Sequence, residues 1–384
     1  MKSLVVRLGA VIGLAVHTVT AATNVVPALI VTNTTLSGTN LVQGTVVVTN
    51  GAILTIQPGT QILMNTAATL VVYGRLLANG TTNQPIYFTR ATTAARWSRI
   101  RFVQAGDSVL RNCVVEYSNC AGDHKDYYDN DCNTNTVPPA RNYHEAVVAL
   151  ATHLDIEGCT FQNLPDSSAT AEGDAIAIIA DDPQVPGAAS AHIWNCRFPR
   201  IGQGIHTRFS YVLVEGCVFS EKRGDNDDVD LYGESVPPPV IRNNLFLPGH
   251  EDKINPTRCS AIIYGNIVSG ADDHGIVLRD KCAPIVFNNL IYNCTNAGIA
   301  VQNQCDALIF NNTIVNSLRA IRFFDHFDRH GPPYCLFPGS GRATILNCII
   351  WDCTTSFELA DSTNGQSYAN VAYCDVKEIG RAHV

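Results

Sequence analysis

The chain has 384 residues and a formal net charge of −8 at pH 7, with only 16% of its residues charged. An acidic chain has little electrostatic attraction for nucleic acid or for anionic membrane surfaces, so we expect neither as a partner. The length is sufficient for one long core or for two ordinary domains.

The first 22 residues are typical of an export signal. Lys2 and Arg7 precede an apolar stretch, and Thr20-Ala21-Ala22 offers small residues for cleavage. The stretch is too short to span a membrane, and no later segment is long enough, so no membrane span is expected. We therefore expect residues 1–22 to be removed and the mature protein to be secreted or held at the cell surface. A buried first strand is the alternative.

Residues 23–110 consist of short apolar runs separated by Gly, Asn and Pro. Val46-Val47-Val48, Leu54-Thr55-Ile56 and Leu70-Val71-Val72 are examples. Runs of this length and composition predict short strands, and no convincing helix lies between them. Residues 111–377 then repeat one phrase regularly.

That phrase places Cys or Asn at one position in each repeat. Asn195-Cys196, Gly216-Cys217 and Asn243-Asn244 are examples, and Cys259, Cys282 and Cys305 recur at one interval (282 − 259 = 305 − 282 = 23). A fixed period of this length predicts a stacked array, and here an all-β one, a single-stranded parallel β-helix. Equivalent residues of successive coils then lie about 4.8 Å apart, so the Asn and Cys residues form ladders along the axis.

Most of the 14 cysteines fit this ladder as compact apolar residues, although some stacked neighbours could be bridged. The chain has no Cys-x-x-Cys pair, so zinc is not expected. Cys120 and Cys132 differ because they bracket a polar loop, which makes them the best disulfide candidates.

Two segments, 119–144 and 323–341, interrupt the period. Insertions in a solenoid usually leave from one face and form the wall of a groove. Their acidic, basic and aromatic residues are the kinds that sugar-binding surfaces use, and we take these as substrate-binding candidates: Tyr127, Tyr128, Asp325, His326 and Arg329. The alternative is that the aromatic rings pack only within their own loops.

A second column of residues precedes one apolar run in each coil. It reads Glu145, Asp174, Gln203, Asp227, Asp252, His274, Ala297 and Ala320. Stacked carboxylates repel, which leaves three interpretations open. A calcium ion could bind Asp225, Asp227, Asp252 and Asp273. A carboxyl group of raised pKa could be an acid or base. The bases nearby could otherwise simply neutralise a solvated face. The catalytic candidates are Asp227, Asp252, Lys253, Asp273, His274 and Arg279, and calcium is the only cofactor indicated.

One early segment has a distinctive pattern, in which Gly74-Arg75-Leu76-Leu77-Ala78-Asn79-Gly80-Thr81 is followed by Pro85-Ile86-Tyr87-Phe88-Thr89. This pattern resembles the opening coils of secreted bacterial proteins of the pectate-lyase-like superfamily. The resemblance implies a right-handed parallel β-helix with parallel β-helix repeats. Asp272-Asp273 and Arg279-Asp280-Lys281 are also similar to polygalacturonase-like motifs, but no Gly-His-Gly is present.

The last seven residues, 378–384, break the repeat and back-translate into a common sequencing-library adapter. We expect the natural chain to continue past Lys377 into a downstream domain. The repeats also resemble β-helix segments of multidomain cell-surface proteins.

Two function classes follow. One is an exported module that binds or presents at an extracellular surface, with a polysaccharide or cell-surface glycan as partner, and this is the reading that the incomplete motifs favour. The other is a carbohydrate-active enzyme that uses the groove on an acidic glycan, as a calcium-assisted polysaccharide lyase, a glycoside hydrolase or an epimerase.

Overall fold

The computed structural model describes residues 23–118, 145–164, 173–222, 227–325, 337–360 and 365–378. All regular secondary structure in these ranges is β-strand, and the 40 strands form three sheets. No helix in the described ranges has the length and apolar character needed to cross a membrane.

Each sheet takes every third strand in chain order, so one strand from each sheet makes a coil. Sheet 1 has fourteen strands: β1 (Asn24–Val25), β4 (Thr39–Val42), β7 (Gln61–Met64), β10 (Ile86–Arg90), β13 (Cys113–Glu116), β16 (Thr160–Gln162), β19 (Arg197–Pro199), β22 (Val218–Ser220), β25 (Leu245–Phe246), β28 (Ile267–Ser269), β31 (Leu290–Tyr292), β34 (Thr313–Val315), β37 (Ile349–Cys353) and β40 (Asp375–Glu378).

Sheet 2 has thirteen strands: β2 (Leu29–Ile30), β5 (Thr45–Val48), β8 (Thr69–Val72), β11 (Ile100–Val103), β14 (Val147–Leu150), β17 (Ile176–Ile179), β20 (Ile205–Arg208), β23 (Val229–Tyr232), β26 (Ile254–Thr257), β29 (His274–Leu278), β32 (Ala297–Gln302), β35 (Arg319–Phe324) and β38 (Thr355–Leu359). Sheet 3 also has thirteen: β3 (Thr34–Leu36), β6 (Ile53–Ile56), β9 (Arg75–Asn79), β12 (Ser108–Arg111), β15 (His153–Glu157), β18 (Ser190–Trp194), β21 (Tyr211–Glu215), β24 (Val240–Arg242), β27 (Ile262–Tyr264), β30 (Ile285–Phe287), β33 (Asp306–Phe310), β36 (Arg342–Leu346) and β39 (Tyr368–Ala372).

Neighbouring strands pair in parallel, with the register that the period predicts. Ile262 of β27 pairs with Ile285 of β30, which pairs with Leu308 of β33, a step of 23 residues each time. The all-β parallel solenoid expected from the repeat is therefore confirmed.

Side chains of sheets 1 and 3 alternate between a buried and a partly exposed position, as in β7 of sheet 1 and β15 of sheet 3. The buried positions hold Val, Ile, Leu and Phe, which form one core along the axis. Within it the rings of Phe198, Phe219 and Phe246 stack with centroids 4.6 and 4.7 Å apart, close to the coil spacing. Each coil thus completes the core of its neighbours.

The predicted amide ladder is present. Asn266, Asn289 and Asn312 are buried, and the Nδ2 of each of the first two donates to Oδ1 of the next at 3.0 Å. The backbone N–H groups of Asn266 and Asn289 reach the same oxygens at 3.0 Å. Cys217 continues the column, because its N–H donates to Asn244 Oδ1 at 2.8 Å. The ladder supplies partners to turn groups that would otherwise be buried without one.

The residue before each ladder position has a positive φ. Asn195 (56°), Asn288 (54°) and Gly265 (68°) are examples. Asn and Gly tolerate this left-handed conformation better than other residues, which explains why the repeated phrase begins with one of them.

The cysteines in the described ranges are free, and all but Cys374 are buried. Their burial agrees with the expected packing of these cysteines as compact apolar residues. The Sγ atoms of Cys282 and Cys305 lie 3.3 Å apart without a bond. Cys120 and Cys132 lie outside the described residues, and their pairing stays a prediction.

The second insertion begins later than the sequence indicated. Phe323 and Phe324 complete β35, with Phe323 in the core. The described residues after them end at Asp325 and resume at Phe337. The sequence assigned these two adjacent Phe residues to the inserted loop, but they are the last two residues of the strand.

Candidate functional site on sheet 2

Sheet 2 differs from the other two sheets because its strands are buried on both faces between β14 and β35. Its outward face is apolar around Val148, Leu150 and Ile179, and again around Val277, Ala300 and Phe324. A polar segment carried by β20, β23, β26 and β29 lies between these two apolar patches. We call it the polar segment of sheet 2.

The predicted column of acids lies at the start of sheet 2. The strand register sets Gln203, Asp227, Asp252 and His274 at equivalent positions in successive coils, with Glu145 and Asp174 in the coils before them. The prediction is wrong at its last step, where Ala297 pairs with Arg319 and not with Ala320. That coil has 22 residues between the paired positions, one fewer than the coil before it.

Asp227 is a buried carboxyl group with one strong hydrogen bond. Asn255 Nδ2 donates to Asp227 Oδ2 at 2.5 Å, and the Asn255 Oδ1 accepts from Thr257 Oγ1 at 3.1 Å. Burial, together with the nearby charges of Asp252 and Asp230, raises the pKa of Asp227 to about 8. Asp227 is therefore a neutral acid at neutral pH.

Asp252 is the acceptor of several donors. The His274 backbone N–H and the His274 Nδ1 both lie 2.9 Å from Asp252 Oδ1, and Arg279 Nη2 lies 3.5 Å from Oδ2. His274 Nδ1 also lies 3.2 Å from Asp273 Oδ2. Burial alone would lower the pKa of His274, but the two carboxylates outweigh it and raise the pKa to about 9. The imidazole is thus a buried cation between two acids.

Solvent reaches this cluster from one side. The side chains of Asp252 and His274 are 5% and 6% exposed, whereas those of Asp273 and Arg279 are 38% and 25% exposed. Asp273 accepts hydrogen bonds from Asn296 and His274, which hold its pKa below the usual range although burial opposes this. A ligand would therefore meet Asp273 and Arg279 first.

A second buried pair joins β20 to β23, and no sequence pattern indicated it. His206 Nδ1 lies 3.1 Å from Asp230 Oδ2, and both side chains are 3% exposed. Gln203 Nε2 donates to the same oxygen at 3.4 Å. His206 and Asn255 each occur once at their position, so no repeat marked them. The sequence indicates them only through a polar residue at a strand position that is apolar in other coils of sheet 2.

Lys253 lies apart from the other catalytic candidates. Its side chain is completely buried and its Nζ lies 3.4 Å from Asp228 Oδ2. The buried amine does not reach the outward face with the other catalytic candidates, and a catalytic role for Lys253 stays a prediction from the sequence.

Asp325 is buried and accepts a hydrogen bond from the Gly339 N–H at 2.7 Å, so it joins the two described ends of the second insertion. The remaining candidates lie outside the described residues, and their roles stay predictions: Tyr127, Tyr128, Asp225, His326 and Arg329.

Three residues of the carboxyl cluster could hold a metal ion. Asp252, Asp273 and His274 offer ligand atoms that all lie within 4.8 Å of one another. An imidazole with two carboxylates suits a transition metal better than calcium, which prefers oxygen ligands. The group within this distance does not include Asp227, whose Oδ2 accepts a hydrogen bond from Asn255. Calcium at Asp225, Asp227, Asp252 and Asp273 thus remains a prediction.

A cavity of about 450 Å³ opens at the turn that leads into sheet 2. Lys222, Gly249, His250 and Asp272 are among its lining residues, and His250 Nδ1 lies 2.8 Å from Asp272 Oδ2 at its exposed rim. It lies beside the turn that carries Asp252 and not over the carboxyl cluster, so we do not take it as the centre of the site.

Comparison with known proteins identifies the handedness of the fold. The model of a family described as right handed beta helix region matches residues 141–329. This range contains the whole polar segment of sheet 2. No curated protein matches the chain.

Several solved structures are similar in fold. A double mutant of the periplasmic alginate epimerase AlgG is 12% identical with a TM-score of 0.42, over 84% of this chain and 79% of that one. A mutant of the PL6 family alginate lyase AlyGC is 17% identical with a TM-score of 0.44, over 84% and 51%. Endopolygalacturonase I from Stereum purpureum is 12% identical with a TM-score of 0.40, over 91% and 96%.

Proposed function

We propose that this right-handed parallel β-helix protein is a carbohydrate-active enzyme that cleaves a polysaccharide by acid–base chemistry at the polar segment of sheet 2. The observation that carries the proposal is the buried carboxyl group of Asp227, whose pKa burial raises to about 8, in the coil next to the Asp252 carboxyl group that His274 and Arg279 contact. Glycoside hydrolysis uses two carboxyl groups in different roles.

Asp227 is the proposed general acid. Asn255 donates to Oδ2, so the proton of the neutral acid belongs on Oδ1. A pKa of about 8 keeps the group protonated at neutral pH while still allowing it to lose the proton to a glycosidic oxygen. Both features favour a proton donor over a structural carboxylate.

Asp252 is the proposed base or nucleophile. Its Oδ1 is held by His274, and Arg279 lies near Oδ2, so the side chain has a fixed orientation. The backbones of adjacent coils are about 4.8 Å apart, so Asp227 and Asp252 begin from neighbouring positions on the same sheet.

The substrate class follows from the shape and charge of the surface. A solenoid presents equivalent positions along its length, which suits a linear polymer that lies parallel to the axis. Arg279 stands at the exposed side of the cluster and would attract an acidic sugar unit. A uronate-containing polysaccharide fits both features.

A binding module without turnover is the second candidate. It is favoured by the burial of Asp227, Asp252 and His274, because buried polar groups that satisfy one another can serve structure alone. In that case a glycan would bind at the exposed Asp273 and Arg279 side chains without reaching Asp227.

A panel of neutral and uronate-containing polysaccharides separates these candidates. New reducing ends without an unsaturated product would support hydrolysis, and an increase in ultraviolet absorbance from an unsaturated product would show a lyase instead. Asp227→Asn should abolish the release of reducing ends, and Asp155→Asn, a change of a half-exposed acid on sheet 3, should not. Binding to the panel without any product would contradict the proposal in favour of the binding module.

A further inference from the structure

A row of residues on the core side of the sheet 2 turn contains two charges. The register sets this core-facing row one residue after the acid row, and its members are Ala146, Ala175, Gly204, Asp228, Lys253, Gly275, Gly298 and Ala320. Ala146, Ala175 and Ala320 belong to the core. A Cβ on Gly204 or Gly298 would touch the core residues Phe219 or Ile314.

Between β14 and β35 the charges occur only in the two coils that also carry Asp227 and Asp252. Asp228 directly follows Asp227, and Lys253 directly follows Asp252. Six other coils of this chain have Ala or Gly at the equivalent position, so the fold itself does not need a charge there. A buried ion pair is weak evidence of stabilisation, and small apolar residues would usually do as well.

A third charge completes the group. Lys222 is 3% exposed, and its Nζ donates to the backbone carbonyl of Asp252 at 3.5 Å. The Nζ of Lys253 donates to the backbone carbonyl of His250 at 3.4 Å and pairs with Asp228 Oδ2 at 3.4 Å. The two ammonium groups thus bind the backbone of residues 250–252, the turn from which the Asp252 side chain points outward.

Gly249 makes room for this arrangement. A Cβ at Gly249 would lie 2.9 Å from Lys222 Cβ and 3.1 Å from Lys253 Nζ. Only glycine lets both lysines reach the turn at these distances.

We propose that Lys222, Asp228 and Lys253 form a buried positioning cluster that fixes the turn carrying Asp252 and the residues that lead into β23, Asp227 among them. Asp228 fixes the residues before β23, and the two lysines fix the turn that ends at Asp252. The cluster contacts no substrate, so its members are positioning residues. This inference rests on the proposed function, in which Asp227 and Asp252 act as a pair.

The test replaces the charges by residues that the same chain uses elsewhere. Asp228→Ala/Lys253→Ala copies the core-facing row of other coils, and Asp228→Asn/Lys253→Gln keeps the side-chain volume. We expect both double variants to fold, because removing both partners leaves no unpaired member of the ion pair. Turnover should fall about tenfold or more, as a displacement of about 1 Å can cost a hundredfold, while KM stays unchanged. The single variant Lys253→Arg keeps the positive charge and should therefore keep most of the wild-type turnover rate.

A crystal structure of the double variant gives a readout that needs no substrate. We expect the hydrogen bonds Asn255–Asp227 and His274–Asp252 to lengthen or break. Wild-type turnover, or both hydrogen bonds unmoved, would overturn the inference. Failure of both double variants to fold would also overturn it, since the ion pair would then serve the fold. An inactive wild-type protein whose double variant shows displaced Asp227 and Asp252 would instead count against the proposed function alone.

Discussion

His274 is joined twice to Asp252, because its backbone N–H and its ring Nδ1 both lie 2.9 Å from the same carboxylate oxygen. This arrangement stabilises the imidazolium form and raises the pKa of His274 from 6.5 to about 9. The folded protein therefore binds a proton that the unfolded chain releases between these two pH values.

This gives a first prediction for stability. A raised histidine pKa contributes stability that is fully present below pH 6.5 and is lost as the pH rises to about 9. His274→Gln should remove this contribution, which changes by up to about 1.4 kcal/mol per pH unit. Urea unfolding across this range measures it. His250→Gln, a change of an exposed histidine, is the control, and an unchanged pH slope in His274→Gln would contradict the prediction.

Asp227 gives a prediction of its own. Its pKa is raised from 3.8 to about 8, so the folded state holds a proton that the unfolded chain has lost, and this group disfavours folding increasingly as the pH rises between those values. Asp227→Asn, which stays neutral, should become more stable than the wild type by up to about 1.4 kcal/mol per pH unit over this range. The comparison uses denaturant unfolding, with Asp155→Asn as control. A stability difference that does not change with pH would refute it.

The amide ladder predicts which asparagine matters. Asn289→Ala would leave the Asn266 N–H and side-chain amide without their acceptor, and it would strip the donor from the carbonyls of Ile263 and Phe287. Each buried polar group left unpaired costs about 1–3 kcal/mol, so we expect a loss of several kcal/mol in unfolding free energy. Asn288→Gly should cost little, because the positive φ of 54° suits glycine. Equal effects of the two changes would contradict the ladder.

Metal binding at Asp252, Asp273 and His274 should compete with the proton on His274. We expect Mn²⁺ or Zn²⁺ to bind more tightly as the pH rises towards 9, since the imidazole must be neutral to be a ligand. Asp273→Asn should weaken binding in titration calorimetry, and Asp227→Ala should not. If Asp227→Ala also abolishes binding, and Ca²⁺ binds better than Mn²⁺, the calcium site expected from the sequence would replace this one.

Much of the fold was readable because it repeats. The same coil geometry is indicated several times, by the Asn column and by the 23-residue interval of Cys259, Cys282 and Cys305. A misalignment of one coil therefore leaves the predicted fold unchanged. The acid row followed for the same reason. Only its last member was misplaced, because one coil is a residue shorter and nothing local to Arg319 marks the change.

The parts that could not be predicted are those that occur once. His206, Asp230 and Asn255 share one column of sheet 2, but each residue type occurs in it once. Only the strand register brings His206 to Asp230 and Asn255 to Asp227. The burial of Lys253 could not be predicted because the turn into sheet 2 breaks the alternation of strand side chains. The residue after each acid faces the core there, and so does the first residue of the strand.

A measurement of the protonation state of Asp227 is the most direct test of its proposed role as the general acid. Carbon NMR of the aspartate carboxyl groups, with the signal assigned by its loss in Asp227→Asn, follows this one group through a pH titration without any substrate. A midpoint near 8, with the group protonated at neutral pH, is the predicted result. A midpoint near 3.8 would show an ordinary carboxylate at this position and would contradict its role as the acid.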